Sequence, residues 1–339
     1  MLGAFRRRRW NLAINDTVLF AANYLVPATL LVILALGLDL QWGHTGLFNA
    51  GVAAFAGVGA YTFGMLSTGL RLKDATYGYP GHWGLSTPQD LILSALLAMA
   101  VSGVLGVLIA IPTIKLRADY LAIATLALGA IIQKIYGNAI SFSGGSLGLD
   151  LVPRPFSRFV PGGWMSDGVF TLVAGVVALT LVFAILYIAR TPWGRSLKAV
   201  REDEEAAEAL GRNTSALKLG AFGLGCAIMG LAGALQASYY SVVLPDNLLP
   251  AATFTAYVVV ILGGSGNPKG VVLGGYVFYA LSWTTQEIKA LSITPSWLSL
   301  RMDYINIIVV GVALILIILF RPQGMLRERK FVPKAREKA

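Results

Sequence analysis

Apolar residues in this chain fall into long runs that are separated by short polar stretches. About 20 apolar residues are needed to cross the hydrocarbon core of a bilayer. The runs that approach or exceed this length cover 17–38, 46–70, 90–114, 118–137, 168–190, 216–243, 250–266, 270–287 and 303–320. No large soluble domain fits between them. The pattern predicts an all-α integral membrane protein, a polytopic helical bundle in which residues 1–339 form a single transmembrane domain.

The composition agrees with a membrane protein. Charged residues make up 13% of the chain, whereas soluble domains carry about 25%. The net charge of +10 could suggest a nucleic-acid partner, but the positive residues gather at Arg6–Arg9 and in the stretch 321–338, next to the first and last runs. Positive charge beside a membrane span marks its cytoplasmic side. We therefore expect contact with membrane lipid and not with nucleic acid, and we expect both termini to be cytoplasmic.

The segment 36–70 interrupts this regular pattern. It is crowded with glycine, and Trp42, His44 and Asn49 break its hydrophobicity. Basic residues flank the polar connection at 191–215, which places that connection in the cytoplasm, yet five full crossings before it would leave it outside. Broken helices at membrane depth are tolerated where protein or a water-filled cavity surrounds them. We therefore expect a broken or re-entrant piece in 36–70, and eight to ten crossings in total.

The connection at 191–215, called the connecting segment below, carries five carboxylates between Glu202 and Glu208. Each charge at the centre of a bilayer would cost roughly 3 kcal/mol, so this segment must stand in water. Pro192 suits the first turn of a helix, and Gly211 suits a C-terminal cap. These signals predict a single short helix that ends before Gly211.

The predicted helix covers 193–210 and is amphipathic. Its apolar face consists of residues at helical spacing: Leu197, Val200, Ala207 and Leu210. Anionic inner-leaflet lipid would repel the carboxylates, so the helix is not expected to lie on the headgroups. A docking helix should instead offer a small apolar patch, here Ala206 and Ala207, to a soluble partner.

Side chains suited to catalysis or metal binding are sparse. The two histidines, His44 and His82, are far apart, and the single cysteine, Cys226, lies in an apolar run. The glycine-rich piece 263–270 looks like a phosphate-binding loop, but its lysine follows a proline and no Ser or Thr comes next. We read it as a tight turn between two spans. We expect no catalytic residue, no metal site and no cofactor bound by this chain.

An ion-coupled carrier usually places ionisable residues at mid-membrane depth. The carboxylates of the apolar part instead lie near the ends of the predicted spans: Asp39, Asp119, Asp246 and Asp303. Coupling through buried charges is therefore weakly supported. This raises the expectation that energy enters from outside the chain, through the connecting segment.

Several motifs resemble one group of transporters. Glu205-Ala206-Ala207 followed by Gly211 is similar to the first part of the EAA loop of permeases in ATP-binding cassette importers. The chain also resembles the branched-chain amino acid permeases of such importers, most closely the M-type subunits of the Liv system. The segments that carry this resemblance cover 38–55, 59–61, 116–123, 144–148, 259–266 and 319–324. The Ile-x-Leu-Pro tail of the wider EAA pattern is absent after Gly211.

The resemblance implies an importer permease fold and a multi-pass location in the bacterial inner membrane. It also implies partners: a homologous H-type permease subunit, two ATPase subunits that bind the ATP, and an extracytoplasmic substrate-binding protein. By this resemblance, the residues that couple to the ATPase are Arg201, Glu204, Glu205, Ala206, Ala207 and Gly211. Our candidates for lining the translocation path are Gly43, Thr45 and Asn49, in the glycine-rich early region.

The resemblance implies branched-chain amino acids as the substrate, with alternatives. Urea or amide permeases share the fold and most of these motifs, so they stay open. A sugar or nucleoside permease is less favoured. An ion-coupled carrier is a different class, which the missing mid-membrane charges and the EAA pattern disfavour.

Overall fold

The computed structural model describes residues 2–68, 88–114, 116, 118–150, 152–154, 164–290, 301–321 and 323–328, and it is mainly helical. The helices are α1 Leu2–Leu38, α2 Val52–Thr68, α3 Pro88–Thr113, α4 Ala118–Asn138, α5 Ile140–Ser143, α6 Trp164–Arg190, α7 Pro192–Glu202, α8 Glu204–Ala209, α9 Thr214–Tyr240, α10 Pro250–Gly263, α11 Pro268–Ala290 and α12 Met302–Phe320. A π-helix covers Asp39–Gly43, and 3-10 turns cover Gly145–Leu147 and Pro245–Leu248. Two short strands, β1 Leu149–Asp150 and β2 Val242–Val243, pair antiparallel. The predicted all-α class is confirmed; His82, most of 321–338 and the side chains of Arg6–Arg9 and Asp303 lie outside the described residues.

Each predicted apolar run contains a helix. Five of them are long and apolar enough to cross a membrane: Phe20–Gly43, Gln89–Thr113, Asp119–Asn138, Met165–Arg190 and Thr214–Tyr240. α10 and α11 pass the same test only as a pair, and they meet at a bend of 117°. α2 and α12 provide shorter apolar helices. Length and composition thus support five or six crossings among the described residues, and the number of eight to ten stays a prediction.

The central helix of the bundle is α9, which packs against α1, α2 and α3. Small residues let these helices approach closely. A Cβ added to Gly59 would overlap the backbone of Gly230, and one added to Gly233 would overlap the carbonyl of Ala56. Close backbone approach matters in a membrane because lipid supplies no hydrophobic drive for helix association.

One end of the bundle gathers four separate parts of the chain, and we call it the near end. Arg201, at the end of α7, bonds to Gly43 at the end of the π-helix and to Glu328 near the C-terminus. Gly266, between α10 and α11, donates its backbone N–H to Asp39. The opposite, far end carries Phe20 of α1 and the β1–β2 pair.

The path of α1 connects the two ends of the bundle. At the far end, the ring of Phe20 packs against Trp283 with centroids 5.6 Å apart, and α1 then runs to the near end. The helix begins at Leu2, and the segment 323–328 lies at the near end. After the early break, α2 runs toward the far end, where Gly64 faces Leu149. The cytoplasmic location of both termini stays a prediction.

Candidate functional site

The connecting segment forms two short helices, not the single helix predicted over 193–210. α7 ends at Glu202, and Asp203 adopts an extended conformation with φ −156° and ψ 107°. The Asp203 side chain accepts a hydrogen bond of 3.0 Å from the backbone N–H of Ala206. Asp203 therefore caps a new helix, α8, because a side-chain oxygen at this position satisfies an N–H that lacks a helical partner.

Both outer ends of the connecting segment are also capped. Thr191 accepts from the N–H of Gly194 at 3.2 Å, and Asn213 accepts from that of Ala216 at 3.0 Å. At the end of α8, Arg212 N–H donates to Ala207 C=O at 3.1 Å, and Gly211 has a positive φ of 77°. This is a Schellman ending, which confirms the predicted role of Gly211 as a cap. The connecting segment consequently has a defined conformation.

The exposed apolar surface of α8 differs from the predicted patch. Ala207 is only 3% exposed and packs inward, whereas Leu210 is 83% exposed. Ala206 is also exposed and lies one helical turn before Leu210, so these two side chains share a face. The break at Asp203 explains the change, because α8 starts with its own rotation and does not continue the face of Leu197. Ala206 with Leu210 thus replaces Ala206 with Ala207 as the outward patch.

The carboxylates of α8 divide into tethered and outward groups. Glu204 forms an ion pair with Lys218 of α9, and Glu208 accepts a hydrogen bond from the Thr214 hydroxyl. These contacts hold α8 against the start of α9. Glu205 is exposed and has no such partner in the described part of the chain. Of the predicted coupling residues, Glu205, Ala206 and Gly211 are therefore accessible to another protein.

Arg201 faces the bundle and not the outward patch. Its guanidinium donates to the carbonyl oxygen of Gly43 and, at 2.9 Å, to Glu328. Glu328 also pairs with Lys198 at 2.6 Å. Burial tends to raise the pKa of Glu328, but the hydrogen bonds from Lys198 and Arg201 outweigh it and hold that pKa below its usual value. The predicted coupling residue Arg201 thus acts within the chain in this structure.

The early break predicted in 36–70 is confirmed at the π-helix and the irregular stretch that follows it. Asp39 accepts from the N–H of Gly266 at 2.7 Å, and Gln41 donates to the Phe222 carbonyl at 2.7 Å. Asn49 donates to Gln41 at 2.9 Å. Buried non-helical backbone needs such partners because an unsatisfied polar group in an apolar environment is costly. The break is therefore fixed by side-chain hydrogen bonds within itself and to two other parts of the bundle, α9 and the turn between α10 and α11.

The candidates for path lining lie inside this network. Gly43 is buried, Thr45 is 3% exposed and Asn49 is fully buried. The Tyr257 hydroxyl bonds to both the N–H and the carbonyl of Asn49 at 3.0 Å. This burial favours a structural role for these residues in the single chain. Their part in a translocation path stays a prediction.

A different surface is open along α4. This helix packs on α2 and on the turns near its own C-terminal end, and it is the most exposed and least apolar of the five long helices. Ile123 is 65% exposed, and Ala127 and Ala130 lie on the same open side. Toward the far end, Lys134 and Asn138 add polar groups. The open side of α4 is therefore apolar, with polar groups at its far end.

Three features of the site were absent from the sequence interpretation. Glu328 was missed because its partners lie more than a hundred residues away, and no local pattern marks such a pairing. Leu210 was assigned to one apolar face with Leu197, Val200 and Ala207, and not to the outward patch. The cap at Asp203 did have a signal, since an acidic residue followed by Glu204 and Glu205 is typical of a helix start.

The sequence matches the family of branched-chain amino acid transport system permease components over residues 20–319. It is 31% identical over 316 residues to the high-affinity branched-chain amino acid transport system permease protein LivM of Salmonella typhimurium, which covers 87% of this chain and 67% of that protein. It is 28% identical over 328 residues to a probable LivM permease of Methanocaldococcus jannaschii, with coverage of 88% and 91%. The guanosine ABC transporter permease protein NupQ of Bacillus subtilis is 27% identical over 319 residues, with coverage of 88% and 90%. No solved structure matches the chain.

Proposed function

Since the chain belongs to the family of branched-chain amino acid transport system permeases, whose members are transport subunits and not enzymes, we propose that it is the membrane subunit of an ATP-driven importer of branched-chain amino acids. The observation that carries the proposal is the outward surface of α8. There Ala206 and Leu210 form an apolar patch beside Glu205, on a helix held by caps at both ends. An exposed apolar side chain on such a helix suits a groove in a soluble partner.

The partner proposed for this surface is a separate ATPase subunit, present in two copies per complex. When these subunits close on ATP, they would displace the helices that dock on them. Because packed helices switch between discrete arrangements and do not deform smoothly, the displacement would pass into the bundle as a rigid movement. The ties of Glu204 to Lys218 and of Glu208 to Thr214 support this reading, since they join α8 to α9.

The near end, with the connecting segment and 323–328, would face the cytoplasm, where the ATPase resides. A second, homologous permease subunit and an extracytoplasmic binding protein would complete the complex in the bacterial inner membrane. The translocation path would run between the two permeases along the open face of α4. The small and apolar surface around Ile123 and Ala127 suits an apolar side chain.

A nucleoside is the second candidate substrate, because a guanosine permease is 27% identical over 88% of this chain. The test is uptake by proteoliposomes that contain the whole complex with its binding protein. Labelled leucine should accumulate, and unlabelled isoleucine or valine should compete with it. Competition by guanosine but not by valine would replace the amino acid with a nucleoside, and competition by urea would point to the amide class.

A further inference from the structure

Arg201 stands where the near-end elements meet. Its guanidinium bonds to Gly43 and to Glu328, and its side chain is 22% exposed. The space around it is filled: a Cβ on Gly46 would lie 3.2 Å from Arg201 Cγ, and one on Gly266 would lie 3.0 Å from its Nη1. Arg201 thus touches the π-helix, the turn between α10 and α11, and the C-terminal segment at once.

The segment that carries Glu328 is attached to the bundle by hydrogen bonds. The backbone N–H groups of Met325 and Leu326 donate to the carbonyls of Leu262 and Gly263, each at 3.0 Å. The Asn267 side chain bonds to the carbonyls of Leu326 and Arg327 at 3.3 and 3.2 Å. The segment 323–328 is therefore attached to the turn between α10 and α11, and Glu328 moves with that turn.

The π-helix is tied to the same turn by a separate contact. Asp39 accepts from Gly266 N–H at 2.7 Å, and His44 Nδ1 lies 3.1 Å from the Asp39 carbonyl. A π-helical turn within a helix frequently occurs at a functional site. Any movement of α7 that displaces Arg201 must consequently change the bonds of Gly43, of Glu328, or of both.

We propose that Arg201 and Glu328 are positioning residues that carry the movement of the connecting segment to the π-helix and to the α10–α11 turn. This inference rests on the proposed function, since it assumes that an ATPase moves the connecting segment. Arginine suits the task because its planar guanidinium bonds in two directions at once, which a lysine ammonium does less well. The pair would link the α7–α8 surface to the two broken parts of the bundle.

The test uses the whole complex in lipid nanodiscs and proteoliposomes, with Arg201→Gln, Glu328→Gln and the double variant. The readout is substrate transported per ATP hydrolysed. Each single variant should lower this ratio on the order of tenfold, as is typical of coupling between sites. The double variant should be no worse than either single one, because residues in one network are not additive. Arg195→Gln, which changes an exposed charge on the same helix as Arg201, should leave the ratio unchanged. Glu287→Gln, at another exposed glutamate, is the matched control for Glu328→Gln and should also leave it unchanged.

The same measurements can overturn the inference. Transport and ATP hydrolysis falling in proportion would indicate a merely structural role, and losses that multiply in the double variant would indicate independent residues. If Arg201→Gln prevents assembly, Arg201→Lys is measured, and an unchanged ratio there contradicts the need for two simultaneous bonds. A normal ratio in the Arg201 variants, together with loss of import in Leu210→Ser, would contradict this inference and leave the proposed function intact. Normal import in the Arg201 variants and in Leu210→Ser would contradict the proposed function as well.

Discussion

The carboxylate of Asp203 accepts a hydrogen bond from the backbone N–H of Ala206 at 3.0 Å, and this contact divides the connecting segment into two helices. Removing the cap by Asp203→Ala should cost about 1 kcal/mol of local helix stability. Asp203→Asn is the matched control, because its side-chain oxygen caps equally well. Hydrogen exchange of the amides in 206–210 should be several-fold faster in the alanine variant and close to normal in the asparagine variant. Equal exchange in both variants would mean that Asp203 does not define the start of α8.

Leu210 should be the anchor of the docking surface. Burying an exposed leucine contributes about 1.5–3 kcal/mol, so Leu210→Ser should weaken ATPase binding roughly tenfold or more. The matched control is Leu147→Ser at the far end, where the leucine is 84% exposed against 83% for Leu210. Copurification of the ATPase with each variant measures the difference. If both variants retain the ATPase equally, docking does not use α8.

Gly211 should tolerate asparagine better than alanine. Its φ is 77°, and a Cβ there would meet no atom within 4 Å, so the penalty comes from the backbone alone. A left-handed residue other than glycine costs roughly 1–2 kcal/mol, and asparagine adopts this conformation more readily than most. Stimulation of ATP hydrolysis by the loaded binding protein should fall in the order glycine, asparagine, alanine. An alanine variant that matches the glycine protein would show that the Schellman ending is dispensable.

The attachment of 323–328 should weaken in acid. The pKa of Glu328 is lowered in the folded chain from its usual 4.5, since its bonds to Lys198 and Arg201 outweigh the effect of burial. A carboxyl with a lowered folded pKa stabilises the fold above the unfolded value and loses this contribution as the pH falls below it. Exchange at Met325 and Leu326, corrected for intrinsic rates, should therefore rise below about pH 4.5. The same rise in Glu328→Gln would show that another group causes it.

The open face of α4 should be reachable from water. Cys226 is fully buried, so it should not react with a charged thiol reagent, and single cysteines can be introduced in its presence. Ile123→Cys on α4 should react with a charged thiol reagent in the assembled complex, whereas Val176→Cys on α6 should not. These two positions are matched, with exposures of 65% and 62% in the single chain. Protection of Ile123→Cys by substrate would support a path along α4, and equal inertness of both cysteines would remove it.

Local patterns predicted the parts of the connecting segment that depend on neighbours in sequence. Pro192 and Gly211 were sufficient to predict a capped helical element in this segment. The grouping of Ala207 with Leu210 on one face, and of Ala207 with the outward patch, was wrong, because a single extended residue at Asp203 changes the rotation of the following helix. The number of carboxylates alone does not reveal where a new helix begins. The order of these residues does, since Asp203 followed by Glu204 and Glu205 is typical of a helix start.

Long-range features were harder to predict. The glycine-rich composition of 36–70 indicated a broken helix, but it could not say that α2 would still run to the far end. The partnership of Arg201 with Glu328 spans 127 positions, and it depends on how 323–328 folds back on the turn between α10 and α11. Such contacts are set by tertiary packing and leave no periodic trace in the sequence.

The most direct measurement of the central claim is leucine uptake by proteoliposomes that hold the complete complex with its binding protein. It compares wild-type protein with Leu210→Ser, with and without ATP on the side of α8, and with ion gradients collapsed by ionophores. We expect uptake to require ATP, to persist without ion gradients, and to be lost in Leu210→Ser but kept in Leu147→Ser. Uptake that continues without ATP and stops when the gradients collapse would contradict the account and identify an ion-coupled carrier.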